Sequence, residues 1–313
     1  TGHLSRAELA LMQANPYKPF LDKAVRLPYP PGSTFKFVTA IAALEEKLVD
    51  PKARVVCPGY LLLGNQRKHC THQHGSVDLQ EALAQSCNVY FWQAGQTVGL
   101  ERIARVARDF GFGSPTGIQL NGDASGRMPD KEFYEKQGQF FVGFSLNAAV
   151  GQGDVEATVL QIAMAYAALA NGGRLYEPQI LERVETAKGE IVKTFEPKLR
   201  HQVSVSPATL NLLRRGLYDA VNKDKGTAFA ARVLGLSVAG KTGTAQVKET
   251  IEQPEGTGWH PDRDHAWFAG YAPADKPKVA IVVLIEHGGM GGQVAAPVAM
   301  EVLKGYFDRN DTP

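Results

Sequence analysis

The chain has 313 residues, 44% of them hydrophobic, and a formal net charge of +2. That is enough for a sizeable core in one large domain or two smaller ones, and the small, scattered positive charge gives no footprint for nucleic acid. No apolar run approaches the ~18 residues of a membrane span, and no signal-peptide pattern opens the chain; it reads as cytosolic or as a piece whose targeting segment is missing.

Residues 1–28 read as a short helix followed by an extended, proline-rich lead-in. Tyr29-Pro-Pro-Gly-Ser-Thr-Phe-Lys36 is a rigid turn running into the apolar pattern Phe37, Val38, Ile41, Ala42, Leu44 and Leu48, which places Ser33 at or just before the first turn of a helix ending near residue 48. Residues 52–76 read as an irregular excursion with a short strand at 60–63, and helices are expected over 79–85, from 89 through 94, and over 101–110. From 117 to 143 the pattern is a long loop with short elements. A clear helix follows over 158–170, capped by Asn171-Gly-Gly173; then come a hairpin near 176–196, a helix over 207–221, strands at 237–247, 266–271 and 278–285, and a closing helix over 295–307. Late strands between helices make the fold α+β: a sheet covered by helices, built from residues of about 20–36 and 171–313, with a mainly helical part over about 37–170.

Three cysteines, Cys57, Cys70 and Cys87, leave several readings open. All can be free thiols, Cys57 and Cys70 can close a small disulfide loop, or they can join His69, His72 or His74 around zinc.

Gly235-Leu-Ser-Val-Ala-Gly-Lys-Thr242 satisfies the phosphate-loop spacing, but a phosphate site needs a helix after the glycines, and Gly243-Thr-Ala-Gln-Val247 alternates like a strand. The same lysine fits another chemistry. Lys241, Thr242, Gly243 and Thr244 on an edge strand offer a cation, two hydroxyls and an unobstructed glycine to a peptide's terminal carboxylate. Ser33 and Lys36, three residues apart, put a hydroxyl and an amine on one helix face, and apolar flanks lower the amine's pKa toward that of a base. Ser86-Cys-Asn88 adds a hydroxyl able to relay a proton and an amide able to hold a peptide backbone.

Ser-x-x-Lys, Ser-x-Asn and Lys-Thr-Gly in this order resemble the signature set of penicillin-binding proteins and serine β-lactamases. With Ala149-Val-Gly-Gln-Gly153, Gly226-Thr-Ala228, Ala239-Gly-Lys-Thr-Gly-Thr-Ala-Gln246 and Asp264-His-Ala-Trp-Phe-Ala-Gly-Tyr-Ala-Pro273, the chain from about residue 20 resembles the transpeptidase domain of class B penicillin-binding proteins, most of all the elongation type, penicillin-binding protein 2.

The resemblance implies a peptidoglycan D,D-transpeptidase that takes a stem pentapeptide, releases D-alanine, passes the acyl group to an acceptor stem amine and is acylated by β-lactams. Ser33 would be the nucleophile, Lys36 its base and Ser86 the proton relay. Asn88 would hold the substrate backbone, and Lys241, Thr242, Gly243 and Thr244 would form the carboxylate site. The N–H groups of Ser33 and Thr244 would make the oxyanion hole. It further implies work on the extracytoplasmic, periplasmic face of a membrane, an N-terminal membrane helix and non-catalytic module outside this sequence, and a glycosyltransferase partner. No cofactor is expected and no metal is assigned, because Cys57, Cys70, His72 and Cys87 do not match the metal-holding relatives. Rivals are a D,D-carboxypeptidase or β-lactamase on the same scaffold, a β-lactam-binding sensor, and a nucleotide-binding protein using residues 235–242. The segment from Glu249 to Arg263 reads as a loop beside the cleft, with Trp259 as its anchor.

Overall fold

The computed structural model describes residues 4–15, 17–247 and 260–310. Two short helices, α1 (Arg6–Ala14) and α2 (Lys23–Arg26), lead to a one-turn 3-10 helix, Gly32–Phe35, that runs straight into α3 (Lys36–Glu45). Every residue from Lys36 to Ala43 is buried. A helix apolar on all sides must lie at the centre of a domain, and α3 does, with α5 (Asn88–Val98), α6 (Leu100–Asp109), α8 (Val142–Ala149) and α10 (Pro207–Asn222) around it.

Residues 55–77, read from sequence as irregular, form two small antiparallel ladders. β1 (Val55–Cys57) pairs with β4 (Gly75–Val77), and β2 (Tyr60–Leu63) pairs with β3 (Gln66–His69). The expected strand at 60–63 is present; its partners are too short and polar to show a pattern of their own. α4 (Leu79–Ala84) opens on a capping box between Asp78 and Glu81. The stretch over 117–143 holds α7 (Lys131–Glu135), and α8 begins at Val142, before the point where the sequence reading resumes order. α9 (Val159–Asn171) has a capping box from Thr158 and Gln161 and ends at Gly172 in the left-handed region. The hairpin region contains β5 (Arg174–Tyr176) paired with β8 (Leu199–Gln202), and β6 (Arg183–Glu185) paired with β7 (Ile191–Thr194).

The sheet beside the site has the order β11 (Val279–Ile285), β10 (His265–Ala272), β9 (Ala239–Ala245), antiparallel throughout. The two-residue period sorts β10 between two cores. Trp267, Ala269 and Tyr271 enter the large core shared with α3 and α9. Ala266, Phe268 and Ala272 enter a second core with Met300 and Leu303 of α11 (Ala295–Asn310). Register sets Lys241 opposite Ala269 and Gly243 opposite Trp267, so Lys241 and Gly243 face the helical side of the sheet.

The phosphate-loop reading fails here. Gly240, Lys241 and Thr242 lie inside β9, a Cβ on Gly240 would come within 2.5 Å of the Phe268 ring, and the strand, not a helix, continues through Gly243 to Ala245. Trp259 and most of its expected loop lie outside the described residues. No described helix is long and apolar enough to cross a membrane.

Candidate active site

The Ser33 turn is held from several elements at once. Tyr29 pairs with Ala157 by two backbone bonds of 2.9 Å, Trp267 Nε1 donates to Pro30 O (3.0 Å), and Gly32 N donates to Gly151 O (2.8 Å). Thr34 Oγ1 donates to Pro31 O (2.7 Å), and Tyr166 OH donates to Thr34 O (3.0 Å). Tyr29 OH also donates to Glu286 Oε1 at the end of β11 (2.6 Å). Gly32 sits at φ +55, and a Cβ there would lie 2.9 Å from Thr244 O, so both conformation and space require glycine. From Pro31 to Ala43, Ser33 is the one residue that is not buried.

Lys36, one turn further, is fully buried. Its Nζ donates to Ser86 O (2.8 Å), Ser86 Oγ (3.1 Å) and Asn88 Oδ1 (2.6 Å), and lies 5.3 Å from the centre of the Phe91 ring. Burial pulls its pKa down to about 8, opposed by the nearby Cys70 and Cys87 thiols. The sequence brings Ser86 and Asn88 there through one backbone device. At the end of α4, Cys87 N donates to Ala82 O (2.9 Å) and Ser86 N to Leu83 O (3.3 Å), with Ser86 at φ +62. This is a Schellman ending with serine in the left-handed position that glycine usually takes. Asn88 then opens α5, so two helix ends set the Ser-x-Asn spacing.

Lys241 is also fully buried, and its Nζ donates to Thr242 O (3.0 Å). Burial holds its pKa well below the usual lysine range, and the charge of Lys36 lowers it further. Thr242 Oγ1 donates to Thr227 Oγ1 (2.7 Å), and Gly291 N donates to Thr244 Oγ1 (3.4 Å). Gly243 has a role beyond leaving room for substrate: a Cβ there would stand 3.0 Å from Trp267 Cβ and 3.1 Å from Pro31 O. Ser33, Lys36, Ser86, Asn88 and the Lys241–Thr244 strand thus border one region where the Ser33 turn, the α4–α5 corner and β9 meet. Sequence reasoning gave no role to Thr227 or Gln152, although both lie in strings that carried the resemblance. Gln152 Nε2 donates to Thr244 O (3.1 Å).

The cysteines are free thiols. Cys57, Cys70, His74 and Cys87 place their ligand atoms within 4.8 Å of one another. The sequence leaves His69, His72 and His74 open as partners of the cysteines and assigns no metal; His74 is the residue the ladders bring in, while His72 contributes its carbonyl to Cys57 Sγ (3.6 Å). His74 Nδ1 lies 3.5 Å from Cys57 Sγ and 3.6 Å from Cys70 Sγ, and Nε2 is 3.1 Å from Gln85 O. A carbonyl accepts, so Nε2 carries the proton and the Nδ1 lone pair faces the thiols, as a metal-binding histidine requires. The hydrogen bond from Cys87 favours the thiolate of Cys70, whereas Cys87 is held protonated beside it. Three sulfurs and one imidazole fit tetrahedral zinc. The cluster adjoins the Ser86–Asn88 corner, since Asn88 N donates to Cys70 Sγ (3.2 Å).

A sheet carrying Lys-Thr-Gly against a buried helix carrying Ser-x-x-Lys defines a serine acyl-transfer fold, and comparison with known proteins places it. The family described as "Penicillin binding protein transpeptidase domain" matches residues 5–304. The chain belongs to that family. It is 34% identical over 307 residues to peptidoglycan D,D-transpeptidase MrdA of Haemophilus influenzae, covering 93% of this chain and 46% of that protein. It resembles Pseudomonas aeruginosa PBP2 with a TM-score of 0.82 and 31% identity, over 97% of this chain and 66% of that one. It also resembles a chain from a peptidoglycan synthase complex that coordinates polymerization and crosslinking (TM-score 0.83, 30% identity, 97% and 50% covered). The chain spans about half the length of the curated relatives it matches.

Proposed function

We propose that this domain is a peptidoglycan D,D-transpeptidase that works through an acyl-enzyme at Ser33. The observation that carries the reading is Lys36, fully buried, lowered to about 8, and held between Ser86 and Asn88 one turn after the accessible serine. Neutral Lys36 takes the Ser33 hydroxyl proton as Oγ attacks the carbonyl of the penultimate D-alanine. The N–H groups of Ser33 and Thr244 stabilise the oxyanion. On collapse the bond to the terminal D-alanine breaks, and Ser86 relays a proton to its amine. The acceptor stem amine then attacks the ester, and its surplus proton returns to the serine oxygen as the ester breaks.

Asn88 holds the donor backbone, and Lys241 with Thr242 and Thr244 receives the terminal carboxylate. That anion supplies the counter-charge a buried Lys241 needs, so binding raises its pKa and favours proton uptake. The helical part supplies Lys36, Ser86 and Asn88, the sheet part supplies β9, and the shared core makes them one unit. Cys57, Cys70, His74 and Cys87 would hold zinc, whose bonds would cross-link the 55–77 ladders to the Ser86–Asn88 corner. Family membership supports work on the extracytoplasmic side of the membrane, and likeness to a chain of a synthase complex that coordinates polymerization and crosslinking supports a partner that polymerizes the glycan, a glycosyltransferase.

The test is incubation with a stem pentapeptide and an acceptor amine. Cross-linked product with equal release of D-alanine supports the reading. D-Alanine release with only hydrolysed tetrapeptide makes the domain a carboxypeptidase, and acylation by penicillin without D-alanine release makes it a sensor.

A further inference from the structure

The side chain of Gln152 reaches β9 from a loop built to deliver it. Gly151 and Gly153 flank it at φ +68 and +71, in the region that favours glycine. A Cβ on Gly151 would come within 2.3 Å of Gly32 O and 2.7 Å of Phe35 Cβ, and one on Gly153 within 3.1 Å of Asn147 Cβ. The loop is therefore pressed between the nucleophile turn and α8, with its glutamine aimed across the turn. There Nε2 donates to Thr244 O (3.1 Å), and Oε1 accepts from Gln246 N (3.3 Å).

Those two backbone atoms belong to an edge that a substrate needs. β9 is the outer strand of its sheet, with β10 on its other side. Backbone groups of residues two apart on an extended chain point to the same side, so Thr244 at the end of β9 and Gln246, one residue beyond it, both turn theirs to Gln152, within one strand step of the carboxylate site. An extended peptide adding to that edge would donate an N–H to Thr244 O and offer a carbonyl to Gln246 N. The Gln152 carboxamide, one donor and one acceptor, already fills both places.

We propose that Gln152 stands in for a strand: its carboxamide caps the open edge of β9, and ligands that pair an amide N–H with Thr244 O must displace it before Ser33 is acylated. Gln152 is thus a specificity-determining residue that slows amide-bearing ligands and leaves untouched those that reach Ser33 without that bond. This rests on the acyl-transfer reading of the site.

Second-order acylation rates test it, with benzylpenicillin, which carries an acylamino N–H, and a carbapenem, which carries a hydroxyethyl group in its place. Removing one competing hydrogen bond should raise the benzylpenicillin rate about three- to tenfold in Gln152→Ala, with the carbapenem rate changed less than about twofold, so that the ratio of the two rates rises. Gln152→Met, similar in length but without the amide, should raise the ratio equally, and thermal melting of both variants checks folding. An unchanged ratio, or equal loss with both compounds, would mean that Gln152 only braces β9, and would overturn the proposal while leaving the acyl-serine reading intact. If the parent protein forms no adduct with either compound, that reading fails and the proposal falls with it.

Discussion

Lys36 Nζ donates a 2.6 Å hydrogen bond to Asn88 Oδ1. It joins the first residue of the buried central helix to the first residue of α5, and supplies a dipole, not a charge, to the amine. With burial dominant, Lys36 stays near 8.

Acylation should therefore follow the neutral form of Lys36. A lysine is deprotonated above its pKa, so the acylation rate should rise with pH through about 8 and level off beyond it. In Asn88→Asp a carboxylate would face Nζ in place of the amide. Opposite charge favours the ammonium, so the midpoint should move upward and the rate at pH 7 should fall by at least about tenfold. A stopped-flow pH profile of penicillin acylation for parent and variant checks both; an unshifted midpoint would remove Lys36 from the role of base.

Ser86 should show a trade between stability and activity. Its φ of +62 costs a non-glycine residue about 1 kcal/mol. Ser86→Gly should stabilise the fold by about 1 kcal/mol, a rise in Tm of about 2–3 °C for a chain of this size, while acylation slows for want of the hydroxyl. Thermal melting and acylation kinetics on the same preparation read both effects.

The cysteine cluster should carry about one zinc per chain when the protein is prepared with zinc present. Cys57→Ser, which leaves the Asn88 contact to Cys70 in place, should lose the metal and lower Tm by several degrees. A strong chelator should do the same to the parent and leave the variant unmoved. Metal analysis beside melting decides it, and a metal-free parent insensitive to the chelator would contradict it.

Legibility in the sequence followed range. The Ser33–Lys36 pair and the Ser86–Asn88 pair are three and two residues apart, so local spacing and helix-end chemistry revealed them. The strand placement of Lys241 followed from alternation and disposed of the phosphate-loop match. What was not legible depends on pairing between distant segments. Of the three histidines offered, His74 meets the cysteines because β1 pairs with β4 in one particular register, and three-residue strands leave no periodic trace. Gln152 meets Thr244 across 92 positions. α8 was hidden by Gly143 and Asn147, weak helix formers whose helix is held by packing against α5.

The account stands on Ser33 as nucleophile, and intact mass after incubation with benzylpenicillin tests that most directly. The parent should gain one penicillin mass per chain and keep it for minutes or longer, and Ser33→Ala should gain none. A folded parent that stays unmodified, or a Ser33→Ala protein that still takes up one equivalent, would contradict it.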